Sequence, residues 1–227
     1  MLGGVFALFI SIIIPVAIFV YAWKKRNYVS FLLGVAAFVV SQIMLRMPLL
    51  SALEQYSTDY LFFTATQPIL YPLFLGVTAA VFEEVARYMA MRFFMKRKNW
   101  RNGFIFGLGH GGIEALLLVG APIIYTMLFT PDLMADGLGF ISGIERIAAM
   151  SLHVGFSILV LQGVVKKQFR YVCIAIILHT IVNASIGIMA YYVPANLSLF
   201  VIEGFIVMMS WMMLGYSFVV KRKGILS

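Results

Sequence analysis

Residues Phe82 to Tyr88 read FEEVARY, inside an apolar run long enough to cross a membrane. Two adjacent carboxylates and an arginine are each costly in hydrocarbon, so the rest of the chain has to supply partners and a reason for them. The setting is apolar throughout: of 227 residues, 63% are hydrophobic and 11% charged. A soluble domain carries about 25% charged residues, and mean hydropathy here is +0.99. Folded in water, such a chain would expose far more apolar surface than soluble proteins do.

The long apolar runs predict an all-α, polytopic transmembrane helical bundle of about seven spans, near 2–23, 28–50, 67–94, 103–129, 140–164, 171–190 and 197–219. Weakly alternating ten-residue segments, the mark of an outer-membrane barrel, are missing. The first run has no basic residues ahead of it and is too long for a signal-peptide core, so it reads as a retained span. No repeat or soluble insertion breaks the series, which predicts one integral-membrane domain over 1–227. The single cysteine, Cys173, allows neither an intrachain disulfide nor a CxxC-type metal motif.

Charge is ordered along the chain. Lys24, Lys25 and Arg26, then Lys96, Arg97, Lys98 and Arg101, then Lys166, Lys167 and Arg170, then Lys221, Arg222 and Lys223 follow alternate spans. The other connections carry only Glu54, Asp59, Asp132 and Asp136. The positive-inside rule predicts an N-terminus outside and a cytoplasmic C-terminus. Topology and anionic lipid account for the net charge of +8, and a nucleic-acid partner is not needed.

Nine charged residues remain within spans. Arg46, Arg92, Glu145, Arg146 and Glu203 are close enough to span ends to snorkel. Glu83, Glu84, Arg87 and Glu114 lie deeper, and all three histidines, His110, His153 and His179, are also in spans. At about 1.5 Å per residue from the basic loops, His110 and His179 lie about 10–12 Å deep. Glu83, Glu84, His153, Glu114 and Asn183 fall at about 15–18 Å on the same count. Four helices thus put polar groups into one slab, from mid-bilayer towards the basic side. Glu83 and Arg87, His110 and Glu114, His153 and Ser157, and His179 and Asn183 are each spaced i,i+4, so each pair shares a helix face. The glycines of GLGHGG, Gly107 to Gly112, suit either close backbone approach at a site or plain tight packing.

Such a slab can do hydrolytic chemistry. Glu83 and Glu84 point about 100° apart, so one can face a cavity as a general base while the other pairs with Arg87 or a neighbouring helix. Histidines can polarise a carbonyl, donate to an oxyanion or bind metal. Asn183 can donate to an oxyanion. His110, His153 and His179 with water would make a catalytic zinc site, although HExxH is absent; no cofactor is fixed by these residues alone.

FEEVAR, FGLGH (Phe106 to His110) and HTIVN (His179 to Asn183) resemble the three motifs of the CAAX-prenyl-protease and bacteriocin-processing (Abi) superfamily of intramembrane peptidases. Arg87 makes the first motif EExxR, not the prenyl-protease EExxxR. That spacing is similar to the PrsW-like branch, and the nearest likeness is to YhfC-like membrane peptidases, which carry a further histidine as ERIAAMSLH (Glu145 to His153) does here. The resemblance implies that Glu83 or Glu84 activates water, that His110 and His179 are catalytic, that Asn183 supports the oxyanion and that His153 belongs to the site. Arg87 and Glu114 would support them. It implies a peptidase of the bacterial cytoplasmic membrane, acting on a membrane-bound protein or peptide. Water is expected from the cytoplasmic side, where the slab lies. Intramembrane Glu and His also serve proton relays, so a proton-coupled transporter or channel is the competing class, although no internal repeat supports it. A non-catalytic scaffold, with the slab as a structural hydrogen-bond network, is the third reading.

Overall fold

The computed structural model describes residues 2–130 and 136–226, without the side chains of 136 and 137. Asp132, one of the acidic loop residues, lies outside the described residues. Eight helices are described: α1 (Leu2–Lys24), α2 (Tyr28–Tyr56), α3 (Thr58–Thr66), α4 (Leu70–Phe94), α5 (Trp100–Phe129), α6 (Asp136–Lys166), α7 (Arg170–Tyr192) and α8 (Ala195–Arg222). No strand occurs among the described residues. Among the described residues six helices are long and apolar enough to cross a membrane, and α3 with α4 forms a seventh candidate, bent by 114°. Six of the seven expected spans are therefore found as spanning helices and the third as one limb of the bent pair, with one correction. Residues 51–66, expected as a connection, are helical: α2 runs on to Tyr56, and Ser57 Oγ then caps α3 by accepting the Tyr60 N–H at 3.1 Å. Its polar, aromatic-rich sequence hid the helix from a hydropathy count.

Proline shapes three spans. Phe9–Ile13, Val39–Arg46 and Leu116–Gly120 are π-helical, and each is followed two residues later by Pro15, Pro48 or Pro122. A proline ring clashes with the carbonyl four residues back and lacks an N–H, so the preceding turn widens. In α2 the widened turn carries Gln42 and Arg46.

The centre of the bundle is α6, buried without interruption from Leu152 to Gly163. Helix α5 packs between α2 and α6 because its glycines admit neighbouring backbones. A Cβ on Gly109 would strike the Phe31 carbonyl of α2, and one on Gly107 would meet the Val154 backbone of α6 at 2.5 Å. Helix α7 lies along α4, and α1 and α8 flank α6.

The basic connections gather at one end. Arg101 reaches Tyr21 at 3.3 Å, Lys221 lies 4.4 Å from the centre of the Trp100 ring, and Tyr88 packs edge-on against Phe169. Beneath them is an apolar layer: Met91 of α4, Phe106 of α5, Phe156, Ile158 and Leu161 of α6, and Val172 of α7 are each no more than 1% exposed and belong to one core cluster. The polar residues lie beyond this layer.

Candidate active site

Glu83 and Glu84 leave α4 in different directions, as adjacent helical residues must, and both end in one network. Glu83 Oε1 accepts from Gln42 Nε2 at 2.9 Å, and its Oε2 lies 3.0 Å from His110 Nε2. Glu84 accepts Arg87 Nη1 on both oxygens, at 2.9 and 3.0 Å, and His179 Nδ1 at 2.8 Å. Arg87 Nη2 lies 3.1 Å from His153 Nδ1 and 3.9 Å from Glu83 Oε2. His153 Nε2 meets Glu114 Oε2 at 2.5 Å, and Arg146 Nη1 donates to Glu114 Oε1 at 2.9 Å. Burying an isolated charge costs several kcal/mol; here Glu83, Glu84 and Glu114 each face a guanidinium or imidazole. That answers the cost of FEEVARY.

The carboxylates also fix the imidazoles. An ionised carboxylate only accepts, so His153 carries its proton on Nε2 towards Glu114, and His179 carries one on Nδ1 towards Glu84. The other nitrogens turn inward: His153 Nδ1 lies 3.9 Å and His179 Nε2 4.0 Å from Glu83 Oε2. Aromatic packing holds the rings. His110 and His153 have centroids 4.7 Å apart, and Phe156 stacks on His179 at 4.9 Å.

A cavity of about 500 Å³ opens on this network. Glu83, Glu114, His153, His179 and Asn183 line it, joined by Gln42 and Arg46. A second cavity of about 150 Å³ shares Glu114, His153, His179 and Asn183 and extends towards Arg146. Glu84 and Arg87, fully buried, stand behind the wall, as does His110. Of the two glutamates, Glu83 faces the cavity and Glu84 is saturated by Arg87 and His179. Ser157, on the His153 face of α6, is buried in the apolar layer and its Oγ has no partner among the described residues.

The model of the YhfC intramembrane metalloprotease family matches residues 10–137 and 132–207. The chain belongs to that family. A relative described as "Uncharacterized membrane protein YhfC", from Bacillus subtilis (strain 168), is 29% identical over 210 aligned residues, covering 77% of this chain and 79% of the relative. No solved structure matches the chain. With its six to seven apolar helices, this YhfC-family chain is an integral membrane protein.

The family description raises the question of a metal, and the donors fit one. One atom each from Glu83, His110 and His153 lie within 4.8 Å of one another. Tetrahedral zinc with bonds of about 2.0–2.1 Å needs donors about 3.4 Å apart, and the Glu83 Oε2 separations of 3.0 and 3.9 Å from His110 Nε2 and His153 Nδ1 bracket that figure. His110 Nδ1 is buried without a partner among the described residues, so it can take the proton if Nε2 gives its lone pair to a cation. Arg87 Nη2 contacts the same lone pair of His153 that a cation would use, so binding requires Arg87 to withdraw towards its glutamates. The expected trio was His110, His153 and His179; the donors found within 4.8 Å of one another are those of Glu83, His110 and His153, and His179 Nε2 stands 4.0 Å from Glu83 Oε2.

Sequence reasoning missed Gln42, Arg46 and Arg146 as site residues. Arg46 does not snorkel; it donates to Gln42 Oε1 at 3.1 Å, Thr78 Oγ1 at 3.1 Å and the Leu75 carbonyl at 2.9 Å. Arg146 is 8% exposed and bridges Glu114 and Glu145. Their i,i+4 or adjacent polar partners, Gln42 with Arg46 and Glu145 with Arg146, were the available signal. Arg92 does reach the surface, beside Tyr88.

Proposed function

We propose that this chain is a metal-dependent intramembrane peptidase that hydrolyses a peptide bond of a membrane-associated protein or peptide. The observation that carries the reading is the meeting of Glu83 and His153, at the wall of a polar cavity inside an apolar bundle, with His110 directly behind them. Those three residues would hold the cation, and zinc suits two imidazoles and a carboxylate. When bound, the cation would supply Lewis acidity and make a nearby water more acidic. The kinship to CAAX-type and PrsW-like peptidases suggested by the motifs is part of the same proposal.

The chain's own residues take the other tasks. His179, whose Nδ1 proton is held by Glu84 and whose Nε2 lone pair turns towards the cavity, accepts a proton from the attacking water and returns it to the departing amine. A C–O bond forms as the C–N bond breaks, and the two water hydrogens end on the new carboxyl and amine groups. Asn183 donates to the carbonyl oxygen as it gains charge, beside His179. Glu84 and Arg87 position His179 and His153 from behind. The four basic connections face the cytoplasm in this reading.

The test compares protein N-termini in membranes holding wild type or Glu83→Gln plus Glu84→Gln at equal abundance, with zinc measured on the purified proteins. New N-termini that need the glutamates, with about one zinc per chain in wild type only, are expected. Glutamate-dependent N-termini without bound metal would move the base role to Glu83. Identical N-termini from two folded proteins would sink the peptidase reading in favour of transport or scaffolding.

A further inference from the structure

The cavity has a direction. Counted along α2 at about 1.5 Å per residue, its lining starts with Phe38, about 15 Å from the basic end, and continues to Glu54, about 39 Å from it. The hydrocarbon of a bilayer is about 30 Å thick, so Glu54 stands at the opposite surface. The other helices agree. On α4 the lining runs from Glu83 back to Leu75, towards the start of the helix and away from Lys96. On α5 it runs from Glu114 to Leu118, away from Trp100. The smaller cavity leads the same way, past Arg146 to Ile186 and Ile206. Between the site and the basic loops lies the apolar layer of Met91, Phe106, Phe156, Leu161 and Val172, each no more than 1% exposed. Protein interiors packed in this way leave no room for water, whereas the cavity side carries Arg46, Glu54 and Ser51.

We infer that water and substrate reach the site from the face opposite the four basic connections, the extracytoplasmic face, and that the cytoplasmic side is closed by the Phe106–Phe156 layer. This reverses the cytoplasmic water entry expected from depth alone. Depth located the polar groups, but not the side on which the bundle opens. Resting on the peptidase reading, the inference also names the substrate class: polypeptide segments presented at, or entering the membrane from, the extracytoplasmic surface. The scissile bond then lies in the outer half of the bilayer or just beyond it.

Accessibility tests this without any assay of activity. In a Cys173→Ser background, single cysteines are placed at the mouth (Leu50→Cys and, separately, Ser51→Cys), at the floor (Asn183→Cys) and at the basic end (Lys223→Cys). Each is exposed to a membrane-impermeant maleimide in intact cells and in inverted membrane vesicles. The expected result is labelling of both mouth positions and Asn183→Cys from outside the cells, at least tenfold faster than from inverted vesicles, with Lys223→Cys behaving in the opposite way. Mouth and floor cysteines labelled from the same side as Lys223→Cys would overturn the inference, as would labelling of Lys223→Cys in intact cells. Two mouth variants guard against one failing to fold. Outside labelling with no glutamate-dependent N-termini would retain the access route and remove the peptidase reading alone.

Discussion

The two halves of the bundle are both buried and are held together by opposite means. Towards the basic loops, Phe106, Phe156, Ile158, Leu161 and Val172 interlock with no polar contact to each other. Towards the other end, Glu83, Glu84, Arg87, Glu114, Arg146 and three histidines hold four helices by ion pairs around open space. In lipid there is no hydrophobic force between helices, so close packing and interhelical hydrogen bonds must each do the joining. The apolar half is packed shut around α6, and the groove of about 640 Å³ that it leaves between α2 and α4 is lined from Leu33 to Phe94 almost wholly by apolar side chains. The polar half keeps a cavity, and can do so because its charges are paired across helices and do not depend on filling the volume. Rigidity beside an opening is what a preorganised site needs.

If the halves differ in this way, the largest effect comes from leaving a charge alone in the polar half. Glu84→Gln deprives fully buried Arg87 of its bidentate partner. Removing one member of a buried pair costs about 3–5 kcal/mol, so the detergent-solubilised protein should unfold at a markedly lower temperature. Unchanged unfolding would mean that Arg87 is satisfied by Glu83 and His153, and that Glu84 is free for chemistry. In the apolar half, Phe156→Ala should cost about 3 kcal/mol by leaving a void. Because Phe156 also stacks on His179, it should let the Asn183→Cys thiol react from the basic side as well. A stable variant that stays closed would show that the barrier lies elsewhere in the layer. Glu114→Gln should destabilise the fold less than Glu84→Gln does, because Arg146 keeps Glu145, and weaken zinc binding by about 10–100-fold, the usual result of losing the carboxylate behind a metal-ligating histidine. Zinc titration by competition with a chelating dye reads this directly, and unaltered affinity would remove His153 from the ligand set.

Much of this contrast was legible in the chain. FEEVARY, the lone histidines and their i,i+4 partners pointed to one slab on four helices, and those helices do meet there. Hydropathy gave the spans because it integrates over about twenty residues. It gave neither α3, which is too short and too polar to register, nor the fate of Arg46 and Arg146, because a count from the span end measures depth and not direction. Arg46 turns inward on a widened turn set by Pro48, and Arg146 turns to Glu114 on another helix. The choice between Glu83 and Glu84 also needed three dimensions. Their angular separation says they diverge, but only the positions of His110 on α5 and His179 on α7 say which one meets the cavity.

The smallest effect should come from Gln42, and it probes how the polar half is tuned. Arg46 Nη1 donates to Gln42 Oε1, which leaves the amide NH₂ no choice but to face Glu83. The sequence Arg46, Gln42, Glu83 is therefore a chain of oriented donors from the cavity wall to a proposed ligand. A hydrogen bond to a charged group contributes about 1.5–3 kcal/mol when intact, and part of it should be recovered by water in the adjoining cavity. Gln42→Leu should then weaken zinc binding by about tenfold or less, with little change in unfolding temperature. Gln42→Glu offers the sharper comparison, since it keeps size and places a second negative charge beside Glu83. In the metal-loaded protein that charge is offset by the cation, so zinc should restore the stability that the metal-free variant loses. Equal destabilisation with and without zinc would mean that no cation sits at Glu83, and that the polar half is a network of ion pairs alone.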